Sequence, residues 1–228
     1  MTETADGPTR SADELLQNTT ARFAPDPAAN RLVPLIAHGT ANRESLAALA
    51  LEQHHVIAAD LVSFRHLAER AGSEPECAAF FTTLADGEEL AREHLGPLLA
   101  ACGVDAARVQ TYEPLAGCQA YPAYVAWLAL NGSPANVVLA LTANFAAWGG
   151  CCARIAEGLR AHYGFGDEAC AFFDFFAAPA PGLARRAEEA VRAARAAGRV
   201  TEEAQRHGRL LQAYEAMFWE TLAEAAAG

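Results

Sequence analysis

The sequence predicts an all-α fold, a bundle of about eight helices around a buried central helix, and three observations carry that prediction. No stretch shows the period-two alternation of polar and apolar residues that a half-buried strand requires. Apolar residues instead recur every three to four positions, in long segments punctuated by Ser, Asp, Pro and Gly. No charge falls between Pro134 and Arg154, so the helix there is apolar nearly all round, as a rod enclosed by other helices is.

This central helix starts with Ser133 as N-cap and Pro134 in the first helical position, and Gly164 ends it. It is long enough to span a bilayer. Its Ala, Gly, Thr and Asn content, and the amphipathic pattern of every other long segment, place it instead at the centre of a water-soluble bundle. Ala146, Ala147, Gly149 and Gly150 leave room for close approach of a neighbour or ligand. Asn144, Trp148, Cys151 and Ile155 share one face, where a pocket is expected.

The other elements follow in order. Met1–Arg10 is polar and expected to be flexible, with one helical domain over residues 11–228. Ser11 and Glu14 form a capping box, and Pro25 and Pro27 break the chain after the first helix. A short apolar segment, Asn30–His38, ends at Gly39. From about Asn42 to Ala71 runs a long amphipathic helix whose stripe of Leu46, Leu49, Ala50, Ile57, Leu61, Phe64 and Leu67 also takes in Gln53 and Asp60. Ser73 and Glu76, around Pro75, read as a second capping box for a helix carrying Phe80, Phe81, Leu84, Ala91, Leu95 and Leu98, with a break at Asp86-Gly87 and a stop at Gly103. Glu88 lies on that stripe and His94 at its edge.

Gly103–Ala120 reads as loop, and a helix from Tyr121 closes at Asn131-Gly132. After the central rod come Glu168–Ala177 with Phe172, Phe173, Phe175 and Phe176, bounded by Pro179 and Pro181; a charged surface helix over Leu183–Ala197 with Gly198 after it; and a last helix over about Glu202–Ala226.

The formal net charge of -11 argues against nucleic-acid and anionic-membrane partners, which demand clustered basic side chains. Without an apolar leader, a cytoplasmic location is expected. The six cysteines show no metal-ligand spacing and read as reduced core thiols.

The last helix carries the sharpest chemical signal. Leu210, Leu211, Tyr214, Met217, Phe218 and Leu222 form a wide apolar face, and Glu215 lies within it. A carboxyl there is desolvated, which raises its pKa and suits it to acid/base work or to pairing with a buried partner. Asp60, Glu88 and Glu215 thus point inward from three helices, an arrangement that bundles also use to hold two metal ions. No Glu-x-x-His pair is present, and His54, His55, His66 and His207 fall mainly on polar faces, so no cofactor is expected; iron held by Asp60, Glu88, Glu215 and His94 is the alternative.

Three motifs in order resemble one family. Leu32–Thr40 resembles a short helix and Gly-Thr turn, Tyr121–Tyr124 a Tyr-led helix, and Tyr214-Glu-Ala-Met-Phe-Trp219 a C-terminal Tyr-Glu-x-x-Phe-Trp signature of the TenA (thiaminase II) and PQQ-synthesis protein C superfamily, with its haem-oxygenase-like fold. That resemblance implies a homodimer or homotetramer acting on a small heteroaromatic compound, by hydrolysis or deamination of a thiamin-derived aminopyrimidine. Glu215 matches the family's acid/base, Phe218 its neighbouring aromatic and Tyr121 a pocket tyrosine. Tyr124, Asn144 and Gln53 would orient the substrate. Gln53 stands where the family has a pyrimidine-binding Asp, Trp148 where it has a nucleophilic Cys, and Phe176 where a tyrosine is expected; Cys151 or Cys152, one turn on, is the substitute nucleophile to consider. Two other readings stand beside the hydrolase: an oxidase or oxygenase, iron-dependent or cofactor-free, and a ligand-binding protein without catalysis.

Overall fold

The computed structural model describes residues 11–25 and 30–225. Met1–Arg10, Pro27, Ala226 and the side chain of Ala146, on which some of the expectations above rest, lie outside the described residues. The described chain forms ten helices and no strand: α1 Ala12–Arg22, α2 Leu32–Ala37, α3 Arg43–Arg70, α4 Pro75–Ala101, α5 Ala106–Thr111, α6 Ala116–Asn131, α7 Pro134–Tyr163, α8 Asp167–Ala177, α9 Pro181–Ala196 and α10 Glu203–Ala225.

Local chemistry explains most boundaries. Ser11 closes the expected capping box, its Oγ accepting from the Glu14 N–H at 3.1 Å while Glu14 accepts from the Ser11 N–H at 2.6 Å. The Asn42 side chain accepts from the Ser45 N–H at 2.7 Å and starts α3. Gly164 takes a left-handed φ of 73° to end α7, a conformation open to Gly at no steric cost.

Three expectations are corrected, and a fourth, Ser133 as the N-cap of α7, is met in position. The second capping box is absent: Glu74, not Ser73, precedes α4, and no side chain caps it, because Pro75 already fills the position with the missing N–H. Asp86-Gly87 does not interrupt α4, since helices on both sides hold it. Ser133 sits at the N-cap of α7 without a side-chain hydrogen bond. Residues 103–120 are not a loop: Asp105 caps the short α5 by accepting from the Arg108 N–H at 2.8 Å, and α6 begins at Ala116 and carries Pro122 inside it. Pro114 and Gly117 disguised that segment.

Helices α3 and α4 form an antiparallel hairpin, and α7 packs against α1, α2, α4, α8, α9 and α10. The central helix is enclosed on all sides only near its start: Ala135 and Val137–Leu141 are buried, whereas Gly150, Ala153, Arg154 and Glu157 are exposed. α7 is long and apolar enough to cross a membrane, yet much of its apolar surface is covered by other helices. Gly158 lets α2 lie directly on it, because a Cβ there would stand 2.6 Å from the Ile36 carbonyl oxygen. Gly149 similarly faces the Phe176 carbonyl, at 3.0 Å, and Gly150 faces open space.

The apolar interior divides into two clusters. One gathers Leu32, Leu49, Leu95, Ile155, Phe172 and Phe218; the other gathers Phe64, Phe80, Phe81, Val137, Val191 and Leu211. Helices α3, α4, α7 and α10 pass from one to the other, and at the crossing each carries a polar residue. Asp60 falls between Ile57 and Leu61, Glu88 between Ala85 and Ala91, Asn144 between Leu141 and Cys152, and Glu215 between Leu211 and Phe218.

Candidate functional site

These polar residues meet in a cavity of about 60 Å³, enough for a few water molecules. It is lined by Gln53, Val56, Ile57 and Asp60 from α3, Glu88 from α4, Tyr121 from α6, Asn144, Phe145 and Trp148 from α7, Phe176 from α8, and Glu215 and Phe218 from α10.

Glu215 is the best held of the three carboxyls that line the cavity. The Asn144 side-chain amide donates to its Oε2 at 2.5 Å and the Trp219 indole N–H to its Oε1 at 3.3 Å, one helical turn on. Tyr121 in turn donates its hydroxyl proton to the Asn144 Oδ1 at 3.2 Å, so α6, α7 and α10 are linked through one amide. Burial lifts the Glu215 carboxyl to about 7 against these two donors, which favour the anion. Such a group is near half-ionised at neutral pH and can give or take a proton.

Asp60 and Glu88 are held differently. Asp60 is only 4% exposed, and its buried Oδ1 has no hydrogen-bond partner. Burial raises the pKa of both carboxyls, and the Asp60 charge raises Glu88 further. Tyr121 feels burial first and then the charges of Asp60, Glu215 and Glu88, all of which hold its phenol in the protonated form.

The apolar wall is aromatic. Trp148 stacks on Trp219 with ring centres 5.7 Å apart, and Phe176 meets Trp148 edge-on at 5.8 Å. A planar ring entering the cavity would meet these faces.

The structure thus gathers Gln53, Tyr121, Asn144, Trp148, Phe176, Glu215 and Phe218, with Asp60 and Glu88 beside them. Four expected site residues are corrected. Tyr124 points away: its hydroxyl bonds His207 Nδ1 at 2.9 Å and its ring stacks on Trp127 at 5.6 Å. His207 is accordingly buried, not on a polar face, and burial lowers its pKa. Cys152 is fully buried in the apolar core, with its thiol pushed well up by burial. Cys151 is outside the lining, accepts weakly from the Asn30 amide at 3.8 Å, and has its thiol pushed up to about 11 by burial and then by the Glu215 charge. Neither is a ready thiolate. His94 packs on the Phe175 ring at 5.9 Å outside the cavity, and among the described residues no three His, Cys, Asp or Glu side chains are placed to hold one metal ion. The set therefore does not fit iron.

Val56 and Phe145 were not anticipated. Val56 lies one turn from Gln53 and Asp60 on α3, and Phe145 follows Asn144, so helical spacing from the polar residues would have found the first.

A sequence model of the TENA/THI-4/PQQC family matches residues 31–225, from the start of α2 to the end of α10. This chain belongs to that family. The family assignment agrees with solved structures of similar fold. A TenA homologue from Pyrococcus horikoshii OT3 superposes with a TM-score of 0.72 at 15% identity, over 94% of this chain and 99% of that one. A TenA homologue from Pseudomonas syringae pv. tomato gives 0.71 at 14%, over 98% and 100%. A domain of unknown function with a haem-oxygenase-like fold from Shewanella denitrificans gives 0.72 at 14%, over 95% and 93%. The fold is haem-oxygenase-like and all-α. No curated protein matches the chain in sequence.

Proposed function

We propose that this TENA/THI-4/PQQC family member is a small-molecule enzyme that uses Glu215 as acid/base on a heteroaromatic substrate, such as a thiamin-derived aminopyrimidine. The observation that carries the reading is the placement of Glu215. It is a nearly buried carboxyl with a pKa of about 7, fixed by Asn144 and Trp219 and opening on a cavity walled by Trp148, Phe176 and Phe218.

In a hydrolysis, ionised Glu215 takes a proton from the attacking water and, once protonated, returns it to the leaving nitrogen. Tyr121, kept as a phenol, holds the Asn144 amide in the orientation that presents its N–H to Glu215. Gln53 offers both a donor and an acceptor to a ring nitrogen and its exocyclic group. No cysteine serves as nucleophile in this scheme, which makes water the attacking group. A dimer or tetramer, which the family resemblance implies, would leave this chemistry unchanged.

The test is chromatographic detection of hydroxymethylpyrimidine after incubation with thiamin or its aminomethyl-pyrimidine breakdown product, with Glu215→Gln beside the wild type. Wild-type turnover that falls by about 10²–10⁴ in the variant is expected for loss of a positioned proton-transfer group. Equal turnover in both proteins, or none in the wild type, overturns the proposal.

A further inference from the structure

Glu215 accounts for only one of the three carboxyls in the cavity. Asp60 and Glu88 arrive from the two arms of the α3–α4 hairpin, and no hydrogen bond or ion pair reaches either among the described residues. Asp60 is 96% buried by its 4% exposure, so its orphaned Oδ1 cannot be served by bulk water.

The chain has 17 arginines and no lysine, and none of the described arginines lines the cavity. Several are engaged elsewhere: Arg65 with Glu89, Arg70 with the carbonyls of Ala129 and Gly132, Arg108 with Glu44, and Arg160 with Asp167 and Asp174. A buried Asp60 beside a half-buried Glu88, with no cation to neutralise them, is costly to keep, and the orphaned Asp60 oxygen adds to that cost. Replacing both by apolar residues would remove that cost, so the pair marks a place where the missing charge comes from outside.

We infer that Asp60 and Glu88 form a cation-recognition subsite, which takes the positively charged nitrogen of a substrate whose aromatic body rests on Trp148 and Phe176. This deepens the proposed function, since it rests on the same cavity holding the ring, and it specifies the substrate class: a planar aromatic compound bearing an amidinium or ammonium group. Two carboxylate oxygens facing an amidinium make charge-assisted, paired hydrogen bonds. The neighbouring ring faces of Trp148 and Phe176 add attraction for the same cation. Burial holds protons on the pair while the site is empty, and an arriving cation displaces them. Gln53, neutral and two turns earlier on the same face of α3, is left to read the uncharged part of the ring.

The test needs no turnover. Benzamidine, a planar aromatic cation, and benzamide, its neutral isostere, are titrated calorimetrically into the wild type, Asp60→Asn and Glu88→Gln, with thermal unfolding as a check that each variant is folded. We expect benzamidine to bind at least about tenfold tighter than benzamide to the wild type, a gap of about 1.4 kcal/mol. Each variant should bring the ratio close to one by weakening benzamidine alone. Equal binding of the two probes, an unchanged ratio in both variants, or stoichiometric displacement of benzamidine by manganese chloride would overturn the assignment. The pyrimidine assay on the same preparations separates the two proposals: Glu215-dependent turnover with no preference for benzamidine sinks the cation subsite alone, and preference for benzamidine without turnover sinks only the hydrolase.

Discussion

Two buried carboxyls on α3, Glu52 and Asp60, lie about two turns apart and meet opposite fates. Glu52 is fully enclosed and fully served. Its Oε1 accepts from the Tyr112 hydroxyl and the Leu115 N–H, each at 2.7 Å, and its Oε2 accepts from the Gln119 amide at 2.9 Å. It clamps the α5–α6 segment to α3. Asp60 is almost as deeply enclosed, yet one oxygen has nothing to accept from, and the space in front of it is open. The difference separates a carboxyl spent on folding from one kept for a ligand: the first is satisfied by the chain, the second is left waiting.

That contrast is broken or sharpened by four measurements, taken from the largest effect down. Glu52→Leu leaves a phenol, a backbone N–H and an amide unpaired in the interior, and should cost about 3–5 kcal/mol in urea unfolding. If it costs less than 1 kcal/mol, the clamp is not structural and the comparison fails.

The pH dependence comes next. Glu215 rises from 4.5 to about 7 on folding, so between those values the folded chain binds a proton that the unfolded chain has lost. Stability from this group is therefore fully present below about pH 4.5 and is lost as pH climbs through 7, by about 3 kcal/mol. Glu215→Gln should flatten this part of the stability profile and unfold at a higher temperature than wild type at pH 8. An unaltered profile would mean that Glu215 is not desolvated.

Asp60→Asn has the same sign over a wider pH range, since burial lifts this carboxyl from 3.8 to about 8. The two proteins should match within about 0.5 kcal/mol near pH 3, and the variant should become the more stable as pH climbs through 8, because it never has to bury a charge. The corresponding Glu52→Asn change should destabilise at both pH values, and a stabilising result there would erase the distinction. The smallest effect belongs to Tyr121→Phe, which removes one hydrogen bond to Asn144 and should change stability by less than about 1 kcal/mol. Its expected consequence is a lower kcat with unchanged KM in the pyrimidine assay, since Asn144 would lose its orientation while the ring-binding wall stays in place. An unchanged kcat would remove Tyr121 from the positioning chain.

Much of the cavity was legible because a helix repeats its faces. Glu215 between Leu211 and Phe218, and Gln53 and Asp60 on the α3 stripe, stood out as polar interruptions of apolar faces, and the same interruption placed Glu88 and Asn144. Glu52 was not legible. It is adjacent to Gln53 and therefore about 100° away, on a flank that looks exposed until the α5–α6 segment covers it, and that segment reads as loop. Tyr124 failed for a related reason: α6 starts before Tyr121, and its partner His207 sits on a helix flank that only tertiary packing encloses. Cys151 and Cys152 straddle the edge of the α7 face, where one residue of rotation separates pocket from core. The aromatic replacements, Trp148 and Phe176, were visible as residues, but their stacking depends on Trp219 and could be seen only in three dimensions.

The polar seam between the two apolar clusters also separates the residues that hold the scaffold from those that line the cavity. Each wall residue is mounted on a rod anchored by greasy packing above and below the seam, so a substitution there alters the chemistry without loosening the anchors. Gln53, Asp60 and Trp148 can each be exchanged while Phe64, Phe80, Ile155 and Phe172 go on holding the scaffold. Solved structures at 14–15% identity keep the same fold over nearly the whole chain, as anchors that do not depend on the wall residues allow.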